Sequence, residues 1–152
     1  MVFYLTALLV IVADQVTKLL IRANLDAWQS TFELGFFRFT HIHNTGAAFG
    51  LFPGQSLPLI IIGLISVSAI LVIMAFFSHR FPVLNSRMGR LGLGLLLGGT
   101  VGNLVDRLRL GYATDFLNFN MWPAFNVADS AITVGVILFA YSLLRFTATP
   151  DR

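Results

Sequence analysis

The chain has 152 residues, of which 57% are hydrophobic and 11% are charged, and its formal net charge is +3. A soluble globular domain carries about a quarter charged residues, so this composition, with a mean hydropathy of +0.82, excludes an ordinary soluble domain and indicates an integral membrane protein. The small basic excess forms no stripe and argues against a nucleic-acid-binding surface. The absence of cysteine excludes disulfides, thiolate metal ligands and a cysteine nucleophile.

Four segments are long and apolar enough to cross about 30 Å of hydrocarbon as helices. They cover residues 2–21, 57–77, 91–110 and 128–146. The first lacks the basic start and the small-residue cleavage site of a signal peptide, so we expect a retained helix. We therefore predict an all-α integral membrane protein, a single membrane-embedded domain over residues 1–152 with four transmembrane helices and a small β-rich extracytoplasmic element.

The charges of the connections predict the orientation of the chain. Residues 78–90 contain His79, Arg80, Arg87 and Arg90 and no acid, and the positive-inside rule places such a loop in the cytoplasm. With four spans, both termini then lie in the cytoplasm, and residues 23–55 and 111–127 face outward. The intramembrane polar residues consequently converge towards the outer side, which indicates a functional site there.

The first outward connection contains the β-rich sequence TFELGFFRFTHIHN at residues 31–44. Its aromatic and β-branched residues partly alternate, so we expect short strands at the membrane interface. The Gly- and Pro-rich turn region that follows ends near residue 55. We expect residues 28–52 to form a cradle or lid on the bilayer, with Gly46, Gly50 and Gly54 permitting movement.

Polar residues of the first and third segments have helical spacing. Asp14 and Lys18 are four residues apart, so we expect a structural ion pair, with orientation of a catalytic carboxylate as the alternative role. Asn103, Asp106 and Arg107 stand at i, i+3 and i+4 on one side of a helix. We expect Asp106 to pair with Arg107, which leaves Asn103 as a scaffold residue or a substrate contact. The third segment also has small residues at every fourth position, which lets helices approach closely: Gly94, Gly98 and Gly102.

Asp115 and Asp129 have no partner of opposite charge nearby in sequence. Two carboxylates that share a proton have their pKa values driven apart, so one can activate water while the other donates a proton. Asn126 is placed to cap the fourth helix with Asp129 at its N3 position, where the helix dipole favours a carboxylate. We therefore expect Asp129 to be the base and Asp115 the acid, with no metal or cofactor. The alternatives are a purely capping Asp129 and a solvated Asp115.

Other functions account less well for these residues. His41 and His43 fit the pattern of aromatic residues at the membrane interface better than that of metal ligands. Ser130 is a poor candidate for a serine nucleophile, because no base is near in sequence and there is no GxSxG motif. A small proton or ion transporter using the same carboxylates is the main alternative, but it should carry ionisable groups along the full membrane depth. An assembly protein that docks through the glycine face would leave the outer carboxylates unexplained.

Several sequence blocks, in this order, resemble one known family. They are DQVTK at 14–18, HNTGAAFG at 43–50, GGTVGNLVDR at 98–107, ATDFL at 113–117 and FNVADSAI at 125–132. Over essentially its whole length the chain resembles lipoprotein signal peptidase (signal peptidase II), a family of bacterial intramembrane aspartic proteases. It departs from the usual residues of that family at Gly50, Thr100 and Ala113–Thr114, on the rim of the implied site.

The resemblance implies a specific reaction and a set of site residues. The reaction is hydrolysis of the peptide bond before the diacylglyceryl-modified cysteine of a prolipoprotein. The resemblance places it in the bacterial cytoplasmic (inner) membrane, near the outer leaflet. It also implies that the enzyme is a target of globomycin. We expect a monomer surrounded by membrane lipid, with no cofactor, metal or nucleic acid. The implied catalytic residues are Asp115 and Asp129. The implied supporting or substrate-binding residues are Asp14, Lys18, Asn44, Gly46, Asn103, Asp106, Arg107, Asn126 and Ala128.

Overall fold

The computed structural model describes residues 1–46 and 56–148. Along the chain it has α1 (Val2–Asn24), β1 (Ser30–Leu34), β2 (Phe37–Asn44), α2 (Ser56–Val72), α3 (Pro82–Asn85), α4 (Arg87–Leu110), β3 (Ala113–Phe119), β4 (Trp122–Phe125) and α5 (Val127–Ala148). Four helices in the described ranges are long and apolar enough to cross a membrane: α1, α2 with its continuation to Phe77, α4 and α5. The predicted combination of four such helices and a small sheet is confirmed. Gly50 and Gly54 of the predicted lid lie outside the described residues.

Helix α4 forms the centre of the bundle and packs between α1 and α5. Its predicted glycine stripe faces α1, where a Cβ at Gly98 would lie 2.8 Å from the carbonyl oxygen of Ala7. A second glycine, Gly92, faces α5, where a Cβ would lie 2.9 Å from the carbonyl oxygen of Gly135. Because these glycines have no side chain, the backbones of α1 and α5 both approach the backbone of α4 closely, as is typical of small residues in membrane helices.

Both ends of α4 have recognisable caps. The Ser86 hydroxyl accepts a hydrogen bond of 2.9 Å from the backbone N–H of Gly89 at the start, which is a favourable N-cap. The helix ends at Gly111, whose φ of 81° is left-handed, a conformation that glycine adopts without strain. The left-handed residue turns the chain sharply from α4 into β3, so Asp115 lies close to the end of the helix.

The four strands form one antiparallel sheet in the order β1-β2-β3-β4. Strands β1 and β2 confirm the strands predicted within residues 31–44, whereas β3 and β4 lie in a segment that was predicted only as a connection. In the register of β2 with β3, Asn44 pairs with Ala113 and Ile42 pairs with Asp115. The connections from α1 to β1, from α4 to β3 and from β4 to α5 lie at one end of the bundle, where α1 and α4 end and α5 begins.

Candidate active site

Asn126 connects the two predicted catalytic carboxylates. Its Oδ1 accepts a 2.9 Å hydrogen bond from the N–H of Asp129, and Oδ2 of Asp129 accepts a 3.2 Å bond from the N–H of Asn126. This reciprocal pair is a capping arrangement, so the predicted cap of α5 is confirmed. The side-chain Nδ2 of Asn126 donates to Oδ1 of Asp115 at 2.7 Å. One asparagine therefore holds the carboxyl group of a strand beside the carboxyl group of a helix.

Asp115 is buried in β3, with 2% of its surface exposed. Its Oδ2 accepts a 2.8 Å hydrogen bond from Nδ2 of Asn44, which can reach it because residues on neighbouring strands also meet diagonally. Burial and then the negative charge of Asp129 raise the pKa of Asp115 to about 7, although the hydrogen bonds from Asn44 and Asn126 act in the opposite direction. A carboxyl group with this pKa holds a proton about half the time at neutral pH.

Asp129 lies in the first turn of α5 and receives two hydrogen bonds. Nδ2 of Asn103 donates to its Oδ1 at 2.7 Å, and the N–H of Asn126 donates to its Oδ2. In the described structure no ion pair joins Asp129 to a basic side chain. Amide donors thus orient this carboxylate without neutralising it.

A buried ammonium group lies behind the asparagines. Nζ of Lys18 is 2.8 Å from Oδ2 of Asp14, which confirms the predicted ion pair. The same nitrogen is 3.5 Å from Oδ2 of Asp106 and donates to Oδ1 of Asn103 at 2.9 Å. Asn103 Oδ1 also accepts a 3.0 Å bond from Asn126. Asn103 therefore makes its contacts with the supporting residues and with a candidate catalytic carboxylate.

The predicted pairing of Asp106 with Arg107 is wrong. Asp106 instead contacts Lys18 and Nη1 of Arg22, the latter at 3.3 Å, and its Oδ2 accepts a 2.9 Å bond from the N–H of Thr114. Adjacent residues on a helix point in different directions, so Asp106 points to α1 while Arg107 points away from it. Nη2 of Arg107 donates to the carbonyl oxygen of Gly46 at 3.3 Å.

A cavity of about 660 Å³ opens beside Asp129, between β4 and the first turns of α5. Its polar wall includes Asn44, Arg107 and Asp129, and the rest is largely apolar, with Trp122 and Ile132 among the lining side chains. The backbone N–H of Gly46 donates to Oδ1 of Asn44 at 3.0 Å. A mostly apolar cleft with a few converging polar groups is typical of a ligand-binding site.

The structure adds Arg22, which the sequence analysis did not single out, and further contacts of residues that it did. Nη1 of Arg22 donates to Oγ1 of Thr114 at 2.9 Å, and Oδ1 of Asp14 accepts a 3.0 Å bond from the N–H of Ala128. Arg22 follows Asp14 and Lys18 at spacings of four, so all three lie along one stripe of α1. That spacing could have revealed Arg22, but the predicted span ended at residue 21.

His41 and His43, the two histidines of β2, make contacts around the sheet. Nδ1 of His41 lies 2.9 Å from the carbonyl oxygen of Leu25, and the His43 ring stacks on Tyr112 with the centroids 3.8 Å apart. Burial, followed by the effect of His41, lowers the pKa of His43. Within residues 1–46 and 56–148, no three His, Asp or Glu side chains converge in the way a metal site requires.

Comparisons with known proteins give a consistent result. Residues 6–145 match the family model described as signal peptidase (SPase) II. A lipoprotein signal peptidase of Dehalococcoides mccartyi is 49% identical over 138 residues, which cover 90% of this chain and 85% of that protein. One from Moorella thermoacetica is 43% identical over 145 residues, covering 95% and 93%. A solved structure described as a bacterial membrane enzyme superposes with a TM-score of 0.85 at 30% identity, covering 99% of this chain and 92% of that chain.

Proposed function

This chain belongs to the signal peptidase II family and removes the signal peptide from prolipoproteins, and on that premise we propose that it is an aspartic endopeptidase with Asp115 and Asp129 as its catalytic pair. The observation that carries this proposal is the hydrogen bonding of both carboxylates to Asn126. Burial and the neighbouring charge raise the pKa of Asp115 to about 7, which supports one proton shared by the pair.

In the proposed reaction the two carboxyl groups exchange protons with water and the scissile amide. Ionised Asp129 takes a proton from water as the water oxygen bonds to the carbonyl carbon, and Asp115 gives its proton to the carbonyl oxygen. Asp129 then protonates the amide nitrogen as the C–N bond breaks, and Asp115 recovers a proton from a hydroxyl of the diol. The products are a carboxylic acid and an amine, and both side chains return to their starting states.

We propose that the scissile bond precedes a diacylglyceryl-modified cysteine. The cavity beside Asp129 supports this substrate because its walls are largely apolar, with a few polar groups including Asn44 and Arg107. An apolar wall suits the acyl chains and the signal-peptide helix, while the polar groups suit the backbone at the cleavage site. A substrate that arrives through the lipid needs no aqueous channel across the membrane.

We propose that the sheet and the active site lie at the outer leaflet of the cytoplasmic membrane, with both termini in the cytoplasm. The support is the positive charge at the opposite end of the helices. Because the chain has no cysteine, single cysteines report the orientation. An impermeant maleimide applied to intact spheroplasts should label Met121→Cys, where the parent residue is 96% exposed, and should spare Arg80→Cys. The reverse labelling pattern would refute this orientation.

The catalytic assignment is tested with purified Asp115→Asn and Asp129→Asn acting on a diacylated prolipoprotein. Each variant should lose nearly all turnover while it still folds and retains substrate. Glu33→Gln is the matched control, because Glu33 is an exposed carboxylate paired only loosely with Arg38, at 3.9 Å. Full activity in either aspartate variant removes that residue from the catalytic pair.

A proton or ion transporter finds no support in the comparisons or in the arrangement of charges. Asp14, Asp106, Asp115 and Asp129 form one connected cluster with their hydrogen-bonding partners, whereas a relay needs ionisable groups along the depth of the membrane. Helix α2 carries no charged residue. The clustering favours hydrolysis at one site.

A further inference from the structure

A smaller cavity borders Asp129 on the side of α2. It has a volume of about 250 Å³ and is lined by residues of α2, α4 and α5, among them Leu59, Gly63 and Ile132. Asp129 lines it as well. None of the described residues of α2 lines the larger cavity beside β4, so the two cavities approach the proposed catalytic carboxylate from different sides.

The cavity lies in a groove whose floor is α4. Helices α2 and α5 both pack against α4, and the floor between them includes Thr100, Asn103 and Leu104. Asn103 also donates a hydrogen bond to Asp129, so the groove runs from the proposed catalytic pair along α4 towards the middle of that helix. A peptide segment that arrives through the lipid can reach Asp129 along this groove.

Two hydroxyl groups lie at the same level of this groove. A Cβ at Gly63 of α2 would lie 3.3 Å from Cδ1 of Leu104 of α4, so the turns that carry these residues face each other. Consecutive spans run in opposite directions, and the residue three positions after Gly63 is therefore level with the residue four positions before Leu104. These residues are Ser66 and Thr100, and both line the cavity.

The two hydroxyl groups offer complementary hydrogen bonds. Oγ1 of Thr100 donates to the carbonyl oxygen of Leu96 at 2.7 Å, so its hydrogen is used while its oxygen can still accept. Within the described chain the Ser66 hydroxyl makes no hydrogen bond, so its hydrogen can be donated to a substrate. A side-chain hydroxyl donates and accepts at once and so matches both groups. An apolar side chain in the cavity would instead cover a hydroxyl that has no partner, which costs free energy.

We propose that this cavity is a specificity site for a serine or threonine of the signal peptide, and this role rests on the proposed function. The substrate hydroxyl donates to Oγ1 of Thr100 and accepts from the Ser66 hydroxyl. Asn103, which holds Asp129, marks the level of the scissile bond, and Thr100 precedes it by three residues, about 4.5 Å along a helix. A substrate segment covers this distance in three residues if it is helical and in one to two if it is extended, at about 3.3 Å per residue. The recognised residue therefore lies within the three positions before the scissile bond.

The test compares diacylated prolipoprotein peptides that carry either serine or alanine at the first, second or third position before the scissile bond. The measured quantity is the ratio of kcat/KM for the serine peptide to kcat/KM for the alanine peptide, with the purified full chain in micelles. Because the site hydrogen-bonds a hydroxyl, serine should be favoured about three- to tenfold at one of the three positions. Ser66→Ala combined with Thr100→Val should lower that ratio below about twofold, and each single variant should give an intermediate ratio.

Ser68→Ala and Thr147→Val are the matched controls. Ser68 is exposed on α2, and Thr147 is an exposed residue whose hydroxyl donates to the carbonyl oxygen of Leu143 within its own helix. Neither residue lines the cavity, so both variants should keep the serine preference of the wild type. Thermal unfolding in micelles should show that every variant is folded. A purely structural role of the two hydroxyl groups would change stability but leave the ratio unchanged.

A ratio near one at all three positions in the wild type, or a preference that survives in the double variant, would overturn the proposal. The alanine peptides test the proposed function separately, because a wild type that cleaves neither peptide counts against peptide hydrolysis itself. The affinities of the same peptides for Asp129→Asn, which should retain substrate without turnover, give a second readout. Tighter binding of the serine peptide supports the specificity site, and equal affinities at all three positions would overturn it.

Discussion

The hydrogen bond from Asn44 to Asp115 should set the position of the alkaline limb in the pH–activity profile. As the proposed acid, Asp115 works while it is protonated, so activity falls as the pH rises through its pKa of about 7. The Nδ2 donor of Asn44 lies 2.8 Å from Oδ2 of Asp115 and stabilises the charged carboxylate, which lowers the pKa. Asn44→Leu removes this donor, so the pKa of Asp115 and the alkaline limb should both move up.

The size of this shift follows from the strength of the bond. A hydrogen bond to a charged group contributes about 1.5–3 kcal/mol, and one pKa unit corresponds to about 1.4 kcal/mol, which gives about one to two units. Asn44 lines the open cavity, so water can replace part of the lost bond. We therefore expect a shift of about one unit.

The assay is kcat/KM for a diacylated prolipoprotein peptide, measured across the pH range in which the enzyme stays folded, because this ratio reports groups of the free enzyme. Asn118→Leu is the control, since Asn118 lies in the same sheet and donates to Thr40 at 3.3 Å rather than to either aspartate. Its alkaline limb should coincide with that of the wild type. A limb that stays in place or moves to lower pH in Asn44→Leu would refute the proposed role of this bond.

Two further predictions concern the support of the proposed catalytic pair. Arg22→Gln should lower kcat about 10- to 100-fold, because it misplaces the strand that carries Asp115. KM should stay nearly unchanged because Arg22 does not line the proposed substrate cavity, and a change confined to KM would contradict this. Gly102→Ala should cost about 1–3 kcal/mol in the free energy of unfolding, since its Cβ would lie 2.6 Å from Oδ2 of Asp14. Gly63→Ala, whose Cβ would meet only a flexible leucine end at 3.3 Å, should melt within a few degrees of the wild type, and equal losses in the two variants would oppose the packing argument.

The features that the sequence predicted are those encoded by local spacing. Asp14 and Lys18 pair because a helix brings residues four apart together, and Asn126 caps α5 because the two partners are three residues apart. The glycines of α4 predicted a close helix contact, although the partner helix could not be read from them. Each of these signals lies within a few turns of one element, so no knowledge of the tertiary fold was needed.

The features that the sequence missed depend on contacts between distant segments. Strand β3 pairs with β2, which is far away in sequence, and β4 adds to the sheet by pairing with β3. Asp106 contacts Arg22, 84 residues earlier in the chain, as well as Lys18. The sequence analysis paired it with Arg107 because Arg107 is the adjacent basic residue. Thr114 is buried, and its hydroxyl accepts a hydrogen bond from Arg22. A polar residue here is explained only by the guanidinium group that the fold brings to it.

The separation of charges around the site explains how the proposed catalytic pair can keep a proton beside so many ionisable groups. Lys18 contacts Asp106 but reaches Asp129 only through Asn103, which accepts from the ammonium group and donates to the carboxylate. Among the described residues, no ammonium or guanidinium group lies within ion-pair distance of Asp115 or Asp129. Such a contact would favour ionisation of both carboxyl groups, and the proposed pair would then lack its acid. The amide groups of Asn103 and Asn126 orient the two carboxyl groups by hydrogen bonds but carry no charge. The amide side chains therefore do more than hold the carboxylates in place, since they allow one of the two to remain protonated at neutral pH.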